Sequence, residues 1–261
     1  MPACLVQGAS RGIGLQFCRH LLRGVPNSTV IATCRNPGGA TELQTLQAKF
    51  PSTLHIVPLD VLDEGSIQRA ASEVQQHHGG GVDLLINCAG ILHPSGRGET
   101  SLRDVSSQGL STTFSTNAVG PLLVAKYFSP LLQKGTGAFG QHGSNKRTHA
   151  AVMANLSAKV GSTTDNGLGG WYSYRMSKCA LNMATKNLSI ELGRGKNKVI
   201  CVSLHPGTVD TDLSRPYHKN VPSDKLLSTE RSVQCLMDFV NGLTMQHTGK
   251  FFTWEGKEMP F

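Results

Sequence analysis

The sequence predicts an α/β fold: a doubly wound parallel sheet of about seven strands flanked by helices. Three observations carry that expectation. Cys4-Leu5-Val6-Gln7 is a short apolar run that stops at Gly8, after which Ile13, Phe17 and Leu21 recur at helical spacing, so strand, tight turn and helix follow directly on one another. Short β-prone runs then alternate with helical patterns, as parallel βαβ units require. Val82 to Ile86 is apolar enough for a central strand buried on both faces.

The 261 residues suffice for one large domain with a substantial core, and a single domain over 1–261 is expected. Seven cysteines, at 4, 18, 34, 88, 179, 201 and 235, form no C-x-x-C pair and are odd in number, which points away from a disulfide framework or a zinc site. No charged-then-apolar leader precedes the first strand, and no apolar run approaches the roughly 18 residues of a membrane span. A soluble, cytoplasmic protein is therefore expected. The formal charge of +8 is dispersed and fits an anionic cofactor on a basic surface better than a nucleic-acid partner.

Each element has its own justification. In the first turn, Gly8 and Gly12 allow a sharp bend and close approach, Gly14 allows the helix to pack on the strand, and the helix start offers unpaired N–H groups that suit a pyrophosphate. Val30 to Cys34 is the second strand. Arg35 at its end stands where a dinucleotide fold meets the adenosine ribose; with Arg11 it supplies cations for a 2′-phosphate, which favours NADP(H) over NAD(H).

Pro37-Gly38-Gly39 breaks the chain, Leu43, Leu46 and Phe50 mark a helix that stops before Pro51, and Leu54 to Leu59 is the third strand, ending at Asp60-Val61. Asp63 is the better N-cap for the helix through Ile67, Ala70 and Val74, although Asp60 also prepares it. The central strand from Val82 closes on Asn87-Cys88-Ala89-Gly90, where small residues leave room for a ribose. Residues 91–113 have no clean period and read as a loop plus a short helix. A long helix is expected from about Thr113 to Leu132, with the helix-unfavourable Asn117 inside it beside the Gly120-Pro121 pair. Residues 134–149 form a polar excursion whose His142 and His149 lack further metal ligands.

Ala151 to Ser157 reads as a strand, and after Gly169-Gly170-Trp171 a helix opens at Tyr172. Tyr174 and Lys178 are four apart and share one helical face; Tyr172, six from Lys178, does not. A phenol of ordinary pKa about 10 needs a nearby cation to exchange protons near neutrality. Gly193 and Gly195 end that helix, Val199 to Leu204 is a buried strand, and His205-Pro206-Gly207 opens a turn. Polar residues 212–228 suit a mobile flap. A helix through Val233, Leu236, Met237 and Val240 leads to a last strand at 249–254.

Taken together, Gly8-x-x-x-Gly12-x-Gly14, Asn87-x-Ala89-Gly90, Asn117, Tyr174-x-x-x-Lys178 and Pro206-Gly207-x-x-x-Thr211 resemble the short-chain dehydrogenases/reductases across essentially the whole chain. Residues 155–162, 169–175 and 203–207 look like the sniffer-type carbonyl reductases and bacterial C-factor proteins of that family. The resemblance implies a Rossmann fold binding NADP(H) through Gly8, Ser10, Arg11, Gly12, Ile13, Gly14 and Arg35. It further implies that Asp60 and Val61 meet the adenine, that Asn87, Ala89 and Gly90 line the cofactor, that Pro206, Gly207 and Val209 lie at the nicotinamide carboxamide, and that Thr211 lies near the phosphates.

The reaction implied is hydride transfer from NADPH to a ketone or aldehyde. In it Tyr174 gives the proton, Lys178 lowers its pKa and holds the ribose, and the backbone carbonyl of Asn117 holds a relay water. Oxidation of a secondary alcohol differs only in direction and pocket. A homodimer through the helices near 113–132 and 172–193 is also implied.

One departure stands out. The family carries Ser-Ser-x-x-Gly at the end of the strand before the catalytic helix, whereas this chain has Ser157-Ala158-Lys159-Val160-Gly161. Ala158 then takes the place of the serine that binds the substrate carbonyl. Ser157, one residue off on an alternating strand, and Ser162, just past Gly161, are the two replacements to test. An unreplaced serine would cost about 2.7–4 kcal/mol of transition-state stabilisation. It also opens a second reading, an NADP(H)-binding regulatory protein with vestigial catalysis.

Overall fold

The computed structural model describes residues 1–25, 27–143 and 146–261, with His78 described by its backbone alone. In chain order the elements are β1 (Ala3–Gln7), α1 (Gly12–Gly24), β2 (Thr29–Cys34), α2 (Thr41–Lys49), β3 (Leu54–Pro58), α3 (Glu64–His78) and β4 (Leu84–Asn87). They continue with α4 (Ser107–Phe114), α5 (Gly120–Leu132), β5 (Ala151–Leu156), α6 (Tyr172–Leu192), β6 (Val199–His205), β7 (Thr208–Val209), β8 (Leu226–Leu227), α7 (Thr229–Asn241), β9 (Phe251–Thr253) and β10 (Glu258–Met259).

The main sheet runs β10-β9-β6-β5-β4-β1-β2-β3. Every pair is parallel except β10 on β9. Seven parallel strands therefore stand as expected, with a two-residue antiparallel edge strand in addition. The order reverses between β1 and β4, whose last residues pair as Gln7↔Asn87, and the crevice at such a reversal is where open α/β sheets take ligands.

The central strands β1, β4 and β5 bury both faces, as parallel strands between two helical layers do. On one side Val6, Ala32, Ile86, Ala154 and Val202 pack with Phe17 and Leu21 of α1, Leu43 of α2 and Leu236 of α7. On the other, Leu5, Ile31, Leu85, Met153 and Cys201 pack with Ile67 of α3 and Val124 and Phe128 of α5. Residues alternate between the two layers along the central strands, so burial fixes their register.

One expectation needs correction. The helix placed from about Thr113 begins at Ser107, because Ser106 caps it by accepting the N–H of Gly109. It reaches Leu132 through a π-helical turn at Ser115–Val119. The segment 212–228 holds 3₁₀ turns at Arg215–Asn220 and Ser223–Lys225, and β8 within it pairs with β7. Among the described residues no helix is long and apolar enough to cross a membrane.

Candidate active site

The glycine turn sits at the carboxyl end of β1. Gly8 (φ 84°) and Gly12 (φ 57°) occupy the left-handed region, and a Cβ at Gly8 would stand 2.6 Å from the backbone nitrogen of Ala89. A Cβ at Gly14 would lie 2.2 Å from the carbonyl oxygen of Gly8, so α1 can start here only without a side chain. Arg11 at the N-cap offers no side-chain acceptor, and no acidic residue stands in the first turn. The helix start thus presents donors and positive potential with Ser10 and Ile13 beside them. Gly12 also faces Thr211, whose Cγ2 would be 3.5 Å from an added Cβ, so the turn after β7 closes over the glycines.

The two arginines part company. Arg35 follows β2 and is exposed, with no partner among the described residues. The end of β2 lies against the turn, since the carbonyl of Thr33 accepts from both Gly8 and Ala9. Arg11 instead pairs with Asp212 at 3.2 Å, and Asp212 also holds Arg215 at 2.7 Å. Asp60 accepts the N–H of Leu62 at 3.0 Å, Asp63 takes the N-cap of α3, and Val61 is buried beneath Gly120.

At the end of β4, Asn87 donates to Asn155 across the strand pair at 2.7 Å, and Asn155 donates to Thr185 of α6 at 2.8 Å. Asn87 therefore ties β4 and β5 to α6. Ala89 donates its N–H to the buried Gln7, and a Cβ on Gly90 would come within 3.3 Å of Asn117 Oδ1 and 3.5 Å of Lys178 Nζ. Asn117, Gly90 and Lys178 thus converge.

The π turn explains the place of Asn117. In an α-helix its carbonyl would take the N–H of residue 121, but that residue is proline and has none. Its side chain clamps the loop after β4, accepting from Ile91 N at 2.8 Å and donating to Ile91 O at 2.8 Å and to Ser177 Oγ at 3.0 Å.

Tyr174 and Lys178 lie on the buried face of α6, 7% and 4% exposed. Lys178 Nζ donates to the carbonyl of Leu156 at the end of β5 (2.7 Å) and stands 5.8 Å from the centre of the Tyr174 ring. Burial pushes the Tyr174 phenol well above its ordinary value and pulls the Lys178 ammonium down to about 8, with the Cys88 thiol acting weakly against that fall. Desolvation dominates for both groups, and the phenol stays protonated at neutral pH.

Ala158 belongs to one apolar cluster with Tyr174 and Leu92, with Val160, Trp171 and Tyr217 packed against it. Ser157 Oγ is buried without a hydrogen-bond partner among the described residues, and Ser162 Oγ accepts the N–H of Asp165 at 3.1 Å. Beyond β6, the carbonyl of Pro206 accepts from Ser232 at 2.7 Å, Gly207 (φ 85°) turns the chain under Trp254, and Val209 pairs with Leu227.

Tyr217 escaped sequence reasoning. Its hydroxyl accepts the N–H of Gly98 at 2.8 Å while its ring lies 4.7 Å from that of Trp171. A lone aromatic residue in an otherwise polar flap was the available signal. His142 and His149 stack at 4.3 Å and bond to the carbonyls of Gly137 and Phe139, a structural use; no metal-ligating cluster occurs among the described residues.

Residues 2–222 match the short chain dehydrogenase family. By sequence, C-signal of Myxococcus xanthus is 36% identical over 182 residues, covering 70% of this chain and 94% of that protein. The uncharacterized oxidoreductase C663.09c of Schizosaccharomyces pombe is 30% identical over 266 residues, covering 98% of this chain and 96% of its own. By structure, the NADPH-bound carbonyl reductase from chicken fatty liver has a TM-score of 0.85 at 35% identity, covering 100% of this chain and 98% of that one. Carbonyl reductase Sniffer of D. melanogaster gives 0.86 at 32%, covering 100% of both chains. With the glycine turn, Asn117, Tyr174 and Lys178 gathered at one sheet crevice, these matches place the chain in the short chain dehydrogenase family of oxidoreductases.

Proposed function

We propose that this chain, acting as a single domain, is an NADPH-dependent reductase of a small ketone or aldehyde. The observation that carries the reading is the convergence of Tyr174, Lys178, Asn117 and Gly90 at the ends of β4 and β5, beside the glycine turn. The residues present fit the dinucleotide. Gly8, Ser10, Gly12, Ile13 and Gly14 form a cradle that a Cβ would fill, and Arg35 is a free cation at the ribose end. Asp60, Val61, Asn87, Ala89, Pro206, Gly207, Val209 and Thr211 border the same crevice. When bound, NADPH supplies the hydride.

The chain's own part is to hold a carbonyl against Tyr174 and to move a proton. The buried phenol holds its proton at neutral pH and so has one to give to a carbonyl oxygen. Lys178, titrating at about 8, remains mostly cationic at neutral pH and restores charge behind the phenol as its proton leaves. Asn117 keeps the loop after β4 closed on the lysine. The walls from Leu92, Val160, Trp171 and Tyr217 suit a partly apolar substrate.

Exposed Met176, Met183 and Ile190 form a heptad-spaced stripe on α6, with Val119 of the π turn and Leu122 of α5 also exposed; a homodimer buries both sets. The protein is proposed to act in the cytoplasm. A regulatory reading, with weak catalysis, is favoured by Ala158 where a carbonyl-binding hydroxyl would stand. NADPH absorbance followed with quinones, dicarbonyls and aromatic aldehydes separates the two. Turnover that Tyr174→Phe abolishes supports the enzyme, and tight NADPH binding without turnover supports the regulator. The same panel run with alcohols and NADP⁺ tests the reverse direction.

A further inference from the structure

We propose that Glu99, in the loop after β4, is the positioning residue for the first turn of α6, setting both Trp171 and Tyr174. The inference rests on the reading of Tyr174 as proton donor and adds a residue that no motif singles out. Helix α6 has no cap of its own. Its N-cap position holds Trp171, in the left-handed region (φ 48°), and an indole cannot accept the orphan N–H groups of the first turn. Glu99 supplies what is missing from a distant part of the chain.

One carboxylate oxygen accepts the N–H of Ser173 at 3.2 Å and also the Ser173 hydroxyl. The Glu99 main-chain carbonyl accepts the N–H of Trp171 at 2.6 Å. A negative charge at a helix start is favourable in itself. The approach is too close for a side chain on the preceding residue, since a Cβ on Gly98 would lie 2.5 Å from the Trp171 ring. The strap thereby fixes the indole, whose edge meets the Tyr174 ring with centroids 6.2 Å apart.

Stability alone does not explain this arrangement. Serine, threonine or aspartate at 171 would cap the helix from its own N-cap position. Glu99 is instead 3% exposed, and its second oxygen has no partner among the described residues; nor has Nε2 of His93, which stands 4.0 Å from the first. Burying a half-satisfied carboxylate is costly. What the cost secures is an aromatic wall at 171, with the helix behind it still capped and Tyr174 held one turn in.

The test compares Glu99→Ala, Glu99→Asp and Glu99→Gln in the full-length chain. Aspartate keeps the charge but falls one methylene short of Ser173, whereas glutamine keeps an oxygen that accepts its N–H. Alanine and aspartate are expected to lower kcat roughly 10- to 100-fold, as small misplacements of a reacting group do, with little change in NADPH affinity. Glutamine is expected to restore most of kcat. Acrylamide quenching of Trp171 fluorescence, read in a Trp254→Phe background, should rise with alanine and aspartate and return with glutamine. Native kcat and quenching in the alanine and aspartate variants, or a glutamine variant as impaired as alanine, overturns the proposal. A native chain that reduces no carbonyl would remove the reductase reading alone, because the quenching series still decides the part of Glu99.

Discussion

Lys178 Nζ is held 5.8 Å from the centre of the Tyr174 ring by its hydrogen bond to the carbonyl of Leu156, so a strand end aims the cation at the phenol. In the proposed mechanism the pair acts on the proton, whereas the glycine turn binds the nucleotide. Tyr174→Phe is therefore expected to lower kcat by roughly 10²–10⁴-fold, the usual worth of a positioned acid, and to leave NADPH affinity nearly intact. Steady-state kinetics beside a fluorescence titration reads both. Equal losses in rate and affinity would show that the phenol serves binding instead.

The lysine also makes stability depend on pH. Burial lowers its folded-state value to about 8, against an ordinary 10.5. Below about 8 the ammonium is charged in both states and folding bears the full burial penalty. As pH rises from there toward the unfolded value, the unfolded chain binds more protons, and stability rises on this group's account. Between pH 7.5 and 9.5 the gain should be on the order of 1–2 kcal/mol. Denaturant midpoints for the native chain minus Lys178→Met isolate it, because the buried thiols, which oppose it at high pH, are common to both. A difference that stays flat with pH would refute the assignment.

Ala158 clusters with Tyr174 and stands where the resemblance implies a serine. Ala158→Ser is expected to raise kcat, by up to about 10²–10³-fold if the hydroxyl reaches the substrate oxygen. Ser157→Ala should leave kcat unchanged and cost little stability, since its Oγ has no partner among the described residues. Ser162→Ala should loosen the turn to Asp165 without touching kcat. A large kcat loss in either serine variant would identify the hydroxyl that replaces the missing one.

These predictions draw on residues of unequal legibility. The glycine turn and the Tyr174–Lys178 pair are readable because their partners lie within one turn of the same element, so spacing alone places them. Asn117 is readable because Pro121 removes the donor its carbonyl would need. Glu99 and Tyr217 are not, for their partners lie 74 and 119 residues away in sequence. The start of α4 was hidden by a Ser- and Gly-rich stretch without period, and β10 is too short to alternate. The direction of the Tyr174 shift also lay beyond the sequence. It turns on how deeply α6 sinks against β5, which no spacing records.

In the proposed reading cofactor choice rests on Arg35. Arg35→Ser should weaken NADPH by about 1.5–3 kcal/mol, the worth of hydrogen bonds to a charged group, and leave NADH unchanged. Arg11→Ala should do less, because Arg11 already pairs with Asp212. Parallel titrations with both nucleotides measure the ratio. Equal losses for NADPH and NADH in Arg35→Ser would mean that the arginine does not meet the 2′-phosphate.

Tyr217 joins the flap to the loop after β4 by one hydrogen bond to Gly98 and one ring contact with Trp171. Removing the hydroxyl leaves the ring in place but strips the N–H of Gly98 of its acceptor, a loss of about 1–3 kcal/mol if no water replaces it. The flap should then open more often at its substrate end, while the Asp212 end stays paired with Arg11 and Arg215. Tyr217→Phe is accordingly expected to raise KM for the carbonyl several-fold at nearly constant kcat and NADPH affinity, and to speed proteolytic cleavage within 212–228. Cleavage at the native rate with an unchanged KM would show that the flap is held by the aromatic contact alone.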